Sequence, residues 1–156
     1  MIRPARPSDS ESIVAIARDS GLFEPHELED VEGMLSAFLQ GELPPLHQWV
    51  LLEDEGPVAI AYYAPETLSD SVWNLYLLAV SSGRHGQGHG EKLVRYVENE
   101  AKANGGRMLL IETSGLSGFE RTRRFYEHCG YAEEARVRDY YAPGDDKVIF
   151  RKVISE

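Results

Sequence analysis

The stretch Val80-Ser81-Ser82-Gly83-Arg84-His85-Gly86-Gln87-Gly88-His89-Gly90 joins two segments with different apolar patterns. Before it, residues 75–80 form a mostly apolar run of the kind that fills the interior of a sheet. After it, apolar residues recur at the spacing of one helix face, at Leu93, Val94, Val97 and Ala101. The sequence therefore predicts a strand, a glycine-rich turn and a helix, in that order.

The glycines at positions 83, 86, 88 and 90 give this turn a specific chemistry. Glycine reaches positive φ at little cost and lets another molecule approach the backbone closely. At the start of a helix, the first N–H groups lack partners and lie at the positive end of the helix dipole. Together these features predict a phosphate-binding turn. The alternative is a flexible surface turn, which a single pair of glycines would favour.

Two common phosphate-binding loops do not match this turn. The dinucleotide fingerprint needs a third glycine three residues beyond Gly88, where this chain has Glu91. The nucleoside-triphosphate loop needs Gly-Lys-Ser/Thr, a triplet that the sequence lacks. The turn therefore belongs to another class of phosphate-binding loop.

The segment His85-Gly86-Gln87-Gly88-His89-Gly90 resembles the acetyl-CoA loop of the GNAT N-acetyltransferases. That loop reads Gln/Arg-x-x-Gly-x-Gly/Ala and follows a strand ending in a small or branched apolar residue, here Val80. His85 replaces the usual Gln or Arg, and His89 stands where the family has an apolar residue. Arg84, one position earlier, offers a charge to the pyrophosphate instead.

A second motif lies roughly thirty residues further on, at Phe125-Tyr126-Glu127-His128-Cys129-Gly130-Tyr131. It resembles the GNAT signature Phe/Leu-Tyr-Glu-x-x-Gly-Phe/Tyr, which closes a helix and opens a strand. Gly130 stands where a helix needs a left-handed C-terminal residue. Phe119 and Thr122 replace the Asn and Ala that the family often has. Two motifs in the right order are more specific than either alone, and the resemblance extends over residues 2–152.

Length and composition set the remaining bounds. A chain of 156 residues predicts one domain, residues 1–156, with a hydrophobic core large enough to be stable without disulfide bonds or bound metals. The net charge of −10 argues against a nucleic-acid partner. The sequence has no apolar run long enough to span a membrane and no apolar N-terminal leader, so we expect a cytoplasmic protein without a membrane partner. The single cysteine, Cys129, provides no disulfide or metal framework.

The resemblance implies an α/β (α+β) fold. The expected sheet is mixed, mainly antiparallel and splayed, with about seven strands and helices on both faces. The first helix is expected to begin with a capping box at Ser8 and Glu11, and the second to follow Pro25. Asp54-Glu55-Gly56 predicts a hairpin turn. The last two strands are predicted at residues 131–137 and 147–153, joined through a loop at residues 139–146.

The resemblance also implies acetyl-CoA as a co-substrate and no metal. By this resemblance, the pantetheine arm lies along Leu78, Ala79 and Val80. The pyrophosphate lies on the side chain of Arg84 and the loop His85, Gly86, Gln87, Gly88, His89 and Gly90. The two histidines of this loop stand four residues apart, but the glycines around them make a poor helix, and a metal site is therefore not expected.

Acetyl transfer needs an acid, a base and an oxyanion donor. Tyr126 matches the position from which many family members protonate the departing thiolate, although it could simply pack in the core. Asn74 cannot accept a proton, so the base is left open between Tyr76, Glu112 and His47, or no dedicated residue. An unpaired N–H near residues 78–80 is the candidate oxyanion donor.

The acceptor is expected to be a small-molecule or peptide amine. Phe23, Glu24, Asn74 and Tyr140 are the candidate substrate-binding residues, and a homodimer is possible because dimers are common in the family. The alternative is a non-catalytic acyl-CoA-binding or sensing module. His85, Asn74 and Phe119 favour it, since each stands where the family often has a functional residue.

Overall fold

The computed structural model describes residues 1–155, which form one seven-stranded sheet and four α-helices. The strands are β1 (Ile2–Pro4), β2 (Gln48–Glu53), β3 (Pro57–Pro65), β4 (Val72–Val80), β5 (Met108–Ser114), β6 (Ala132–Ala142) and β7 (Asp145–Val153). The helices are α1 (Ser10–Asp19), α2 (Pro25–Leu39), α3 (His89–Ala103) and α4 (Glu120–His128). The strand order is β1-β2-β3-β4-β5-β7-β6. Strands β4 and β5 are parallel, and the β1–β2, β2–β3, β5–β7 and β6–β7 pairs are antiparallel, which confirms the predicted mixed, mainly antiparallel sheet.

The chain divides into two compact units. Unit 1 comprises Met1–Ala64 and Leu77–Val97. Unit 2 comprises Pro65–Tyr76 and the chain from Glu98 onward. Strand β4 and helix α3 each contribute residues to both units. The single domain expected from the sequence stays a prediction.

An apolar cluster forms the core of unit 1. Its buried members come from α1, α2 and strands β2, β3 and β4, with Ala5 from the segment after β1. Full burial of a Val, Leu or Ile side chain contributes about 1.5–3 kcal/mol. Trp49 is completely buried, and its ring stacks on Tyr62 with centroids 5.1 Å apart. The core side chains that α1 and α2 contribute are Ile13, Ile16, Ala17, Val31 and Leu35.

The start of α1 differs from the prediction. Ser8 lies in a 3-10 turn, Pro7–Asp9, and the α-helix begins two residues later at Ser10. Asp9 precedes α1 and closes the 3-10 turn, because its Oδ2 accepts a 2.7 Å hydrogen bond from the amide of Arg6. Arg3 donates two 2.8 Å hydrogen bonds to the same carboxylate and lowers the pKa of Asp9. The capping box at Ser8 is therefore wrong, because an arginine already pairs with the neighbouring acid.

The β2–β3 hairpin confirms the predicted turn at residues 54–56. Glu55 and Gly56 have φ angles of 57° and 115°, and the amide of Asp54 donates to the carbonyl of Gly56 at 2.9 Å. The register pairs Val50 with Ala61 and Leu51 with Ile60. This hairpin places Asp54 at its tip.

Unit 2 is built on β5 and the strands beside it. Strand β4 pairs with β5 from Val72↔Met108 to Leu75↔Ile111. Strand β5 pairs along its whole length with β7, from Met108↔Val153 to Ser114↔Lys147. Helix α4 ends before Gly130, whose φ of 96° confirms the predicted left-handed position after the helix.

The last hairpin is longer than the sequence predicted. Strand β6 continues to Ala142 and β7 starts at Asp145, so the loop expected at residues 139–146 is wrong. Only Pro143 and Gly144 connect the strands, and Ala142 pairs directly with Asp145. The prediction missed this because Pro143 and Gly144 favour a turn, and the acids and tyrosines around them were assigned to the same turn. None of the helices in the described chain combines the length and apolar character that crossing a membrane requires.

Candidate functional site

The glycine turn, residues 83–90, begins with a 3-10 turn (Ser82–Arg84) and runs into the N-terminus of α3 in unit 1. Gly86 and Gly88 have φ angles of 77° and 82°, a conformation that favours glycine. A Cβ atom built on either glycine would have no atom within 4 Å. The space beside the backbone is therefore open, as a phosphate cradle requires.

The start of α3 leaves backbone donors without helical acceptors. The amide of Lys92 donates to the carbonyl of Gly88 at 3.1 Å and closes the first turn. The amides of His89 and Gly90 precede this bond, at positions where a helix supplies no acceptor of its own. With the helix dipole, they form an N-terminus suited to an anion. This geometry fits the diphosphate of a coenzyme A thioester.

The charged and polar side chains of the turn contact the protein. Arg84 Nη2 lies 2.6 Å from Asp54 Oδ2, and Arg84 Nε donates to Gln87 Oε1 at 3.0 Å. His85 Nε2 donates to the carbonyl of Val80 at 2.9 Å. These contacts brace the turn. The role predicted for the Arg84 side chain on the pyrophosphate stays a prediction.

His89 is buried at the first position of α3, with 4% of its surface exposed. Its Nε2 donates to Gln87 Oε1 at 3.2 Å, while Nδ1 has no hydrogen-bond partner among the described residues. Burial lowers the pKa of His89, so the ring is neutral at neutral pH. His89 therefore packs as the apolar residue of the family motif would, and it also braces the turn. No group of three or more His, Cys, Asp or Glu side chains suited to a metal occurs within residues 1–155.

The other candidates in unit 1 lie at separate places. Leu78, Ala79 and Val80 form the end of β4, with Ala79 buried. Phe23 packs partly buried against the apolar core, and the exposed Glu24 precedes α2, where its amide donates to Glu27 Oε1 at 2.9 Å.

His47 contacts Tyr62. Its Nδ1 lies 2.7 Å from the Tyr62 hydroxyl, and burial lowers the pKa of the histidine. The ring is therefore neutral at neutral pH, the form that can accept a proton.

Unit 2 contains a polar cluster around Asn74, which is 1% exposed. The Asn74 amide nitrogen donates to Glu66 Oε1 at 2.8 Å and to Glu112 Oε1 at 3.0 Å. The Tyr76 hydroxyl donates to the same Glu66 oxygen at 2.7 Å. Lys147 Nζ lies 3.0 Å from Glu112 Oε2. The structure thus brings together three residues predicted separately, Asn74, Tyr76 and Glu112.

Tyr76 and Glu112 each follow the last β4–β5 pair of unit 2, Leu75↔Ile111. Tyr76 is 39% exposed and Glu112 is half-buried. Ligands commonly bind near the carboxyl ends of parallel strands, where side chains meet without a ladder between them. The position of this cluster is therefore typical of a functional site.

Tyr126 lies in α4 and is 5% exposed. Its ring packs against Phe125 and Phe150, with centroids 5.3 and 5.8 Å away. Burial raises the pKa of Tyr126, so the phenol stays protonated through the neutral range. The residue therefore packs in the core and also keeps a proton that it could donate.

Tyr140 is more than half exposed and lies on β6 instead of in a loop. Lys147 Nζ lies 4.1 Å from the centroid of its ring, a cation–π contact. Lys147 links this tyrosine to Glu112 and the polar cluster. Sequence reasoning missed Lys147 and Glu66, because nothing in their local pattern marks them. Knowledge of the β5–β7 register would have pointed to Lys147, since it pairs with Ser114, two residues beyond Glu112.

Comparison with known proteins identifies the family to which this chain belongs. Residues 44–133 match the model of the acetyltransferase (GNAT) domain, more than half of the chain. The chain belongs to the GNAT acetyltransferase family. The predicted resemblance is confirmed, and this protein is an acetyltransferase.

Solved structures agree with this assignment. A protein from Desulfovibrio desulfuricans assigned to the GNAT acetyltransferases is 30% identical, with a TM-score of 0.92 over 99% of both chains. An aminoglycoside 6'-N-acetyltransferase complexed with coenzyme A shares the fold at 19% identity, with a TM-score of 0.77 over 100% of this chain and 98% of that one. The ribosomal-protein-S18-alanine N-acetyltransferase of Escherichia coli is 18% identical, with a TM-score of 0.79 over 100% and 94%. A search of curated proteins finds no match.

Proposed function

We propose that this acetyltransferase moves the acetyl group of acetyl-CoA to a primary amine by direct attack in a ternary complex. The observation that carries the proposal is the glycine turn, which combines open space at Gly86 and Gly88 with the N-terminal amides of α3, which precede its first intrahelical hydrogen bond. The amine acceptor is supported by the two more distant relatives, both of which are N-acetyltransferases by name.

In this proposal, unit 1 binds the cofactor. The amides of residues 86–90 hold the diphosphate, and the braced side chains of Arg84, Gln87 and His89 keep the turn in shape. The backbone of Leu78, Ala79 and Val80 binds the pantetheine arm, and an N–H of that segment donates to the developing oxyanion. Bound acetyl-CoA supplies an activated acetyl group as a thioester.

Acetyl transfer also requires two proton movements. The amine loses a proton as its nitrogen forms the new C–N bond, and the C–S bond breaks to release a thiolate that must gain one. Tyr126 is the proposed acid, because it stands at the family motif position from which the departing thiolate is protonated, and its phenol carries a proton in the neutral range. The polar cluster of unit 2 contains the carboxylates suited to receive the proton of the amine.

The test measures cofactor binding and turnover separately. Calorimetry with acetyl-CoA should show one site per chain, and a panel of primary amines should release free thiol in the presence of acetyl-CoA. If adenine dinucleotides bind and acetyl-CoA does not, the cofactor assignment is wrong. If acetyl-CoA binds but no amine in a broad panel releases thiol, the protein acts as an acyl-CoA-binding or sensing module instead.

A further inference from the structure

The two carboxylates on either side of Asn74 differ in their remaining partners. Glu112 uses both oxygens: Oε1 accepts from Asn74 at 3.0 Å, and Oε2 lies 3.0 Å from the ammonium of Lys147. Burial alone would lower the pKa of Lys147, but its contacts with Glu112 and Tyr140 outweigh burial and raise it. Lys147 therefore stays charged and holds Glu112 in an ion pair.

Glu66 has a free oxygen. Its Oε1 accepts from Asn74 at 2.8 Å and from the Tyr76 hydroxyl at 2.7 Å, while Oε2 accepts no hydrogen bond from another described residue. Oε2 has no ion pair among the described residues. Because the side chain is only half-buried, this oxygen is not enclosed in the core. Glu66 is thus the carboxylate of the cluster that can accept a further donor.

The backbone of Glu66 is also fixed. Its amide donates to the carbonyl of Val72 at 2.8 Å, and its carbonyl accepts from the Ser69 hydroxyl at 2.9 Å. Because Oε1 also accepts hydrogen bonds from Asn74 and Tyr76, both the backbone and the carboxylate of Glu66 are held in place. Such preorganisation is a property of binding and catalytic groups.

Asn74 provides an independent sign of function. Both hydrogens of its amide nitrogen are used on carboxylates, which fixes the orientation of the amide. Its Oδ1 is then buried without a hydrogen-bond partner among the described residues. An unsatisfied buried acceptor is destabilising, and a purely structural asparagine would avoid it. Costs of this kind are typical of functional sites.

We propose that Glu66 binds the amino group of the acceptor and removes its proton, an inference that rests on the proposed N-acetyltransferase function. An N–H of the amine donates to Glu66 Oε2. As the nitrogen lone pair forms the C–N bond, the N–H becomes far more acidic, and its proton passes to that oxygen. Glu112 positions Asn74 and through it Glu66. The cluster has two carboxyl groups and one ammonium, so it attracts the cationic form of the acceptor, which releases its first proton to solvent before its neutral nitrogen attacks.

The test compares Glu66→Gln with Glu66→Asp and with Asp70→Asn, a control carboxylate in the same loop. Glutamine keeps an oxygen that can accept from Asn74 and Tyr76, but removes the charge and the free acceptor. With the best amine of the panel, kcat/KM for the amine should fall about 100-fold in Glu66→Gln. Glu66→Asp should retain part of the activity, and Asp70→Asn should match the wild type. Affinity for acetyl-CoA should be unchanged in all three.

The possible failures are distinguishable. If wild type and Glu66→Gln turn over amine at similar rates, Glu66 is not the base, and the proposed function stands. If Glu66→Gln loses acetyl-CoA binding as well as turnover, its role is structural and the inference is wrong. If the wild type releases no thiol with any amine, the proposed function is wrong and the role of Glu66 falls with it.

Discussion

Arg84 Nη2 lies 2.6 Å from Asp54 Oδ2, so the basic residue of the glycine turn is paired with the tip of the β2–β3 hairpin. His89 Nε2 lies 3.6 Å from the same Asp54 oxygen. One carboxylate therefore sits beside the turn that is proposed to bind a diphosphate. Its negative charge opposes an anionic ligand, and its contacts hold the loop side chains in place.

The first prediction separates these two effects of Asp54. Asp54→Asn keeps an oxygen that can accept from Arg84 but removes the charge, so the guanidinium is no longer neutralised. An exposed ion pair is worth up to about 1 kcal/mol, and affinity for acetyl-CoA should rise about two- to fivefold at low salt. The gain should disappear at high salt, because exposed charges are screened. Calorimetry at two ionic strengths measures both effects.

Glu55→Gln is the matched control for Asp54→Asn. It removes the same charge from the same hairpin turn, but Glu55 has no ion pair with Arg84 among the described residues. Its effect on acetyl-CoA affinity should be smaller than twofold. Weaker binding in Asp54→Asn would show that Asp54 is needed to shape the turn, and the charge argument would fail.

The second prediction concerns the proton that the thiolate receives. Tyr126→Phe removes the hydroxyl but keeps the ring packed against Phe125 and Phe150. The rate of thiol release should fall about 100-fold, while acetyl-CoA affinity changes little. Because burial raises the pKa of Tyr126, the wild-type rate should show no loss from ionisation of this phenol up to about pH 10.

Tyr131→Phe is the control for Tyr126→Phe. Tyr131 is also buried, and its hydroxyl donates to Glu98 Oε2 at 2.7 Å, so the variant should lose about 1 kcal/mol of unfolding free energy. Its turnover should match the wild type. An unchanged rate in Tyr126→Phe would remove that residue from the mechanism.

The third prediction uses the two histidines of unit 1 whose pKa values are lowered. His47 and His89 both owe the shift first to burial. An unfolded histidine titrates near about pH 6.5, so below that pH the unfolded chain binds protons that the folded chain does not. The free energy of unfolding should therefore be highest above about pH 6.5 and fall as the pH drops through the folded pKa values.

Urea denaturation between pH 7.5 and 5 checks this dependence. Each histidine adds at most about 1.4 kcal/mol per pH unit to the slope, and replacing both by Gln should flatten the profile. His26, an exposed histidine of α2, provides the control, since His26→Gln should leave the slope unchanged. A double variant as acid-sensitive as the wild type would show that other groups cause the loss.

The sequence was sufficient for the regular elements and insufficient for the side-chain partners. The apolar run before Val80 and the helical stripe after Gly90 are local patterns, and the structure confirms both elements. The predicted start of α1 was wrong because Asp9 accepts hydrogen bonds from the amide of Arg6 and from the side chain of Arg3 in β1. Local patterns cannot reveal such a contact, since it depends on how the strands align.

The polar cluster shows the same limit within the candidate site. Asn74, Tyr76 and Glu112 were chosen from their strand positions, but Glu66, which accepts hydrogen bonds from Asn74 and Tyr76, is brought to them by a turn of the chain. Likewise, nothing local predicts that Arg84 pairs with Asp54, which is 30 residues earlier. Glycine, in contrast, adopts positive φ angles without the help of a distant partner, and so the glycine turn could be recognised from the sequence.

The fourth prediction tests the glycine turn directly, by comparing Gly88→Ala with Gly144→Ala. The two glycines have nearly equal φ angles, 82° and 84°, and a Cβ at either would meet no atom within 4 Å. Each substitution should therefore cost a similar 1–2 kcal/mol, roughly, of backbone strain. Only Gly88 borders the proposed diphosphate site, where a methyl group would occupy ligand space.

Calorimetric titration of these two variants with acetyl-CoA is the decisive measurement. We expect Gly88→Ala to bind at least about tenfold more weakly than the wild type, and Gly144→Ala to bind as the wild type does. Equal affinity of Gly88→Ala and wild type would contradict the assignment of the diphosphate to the amides at the start of α3.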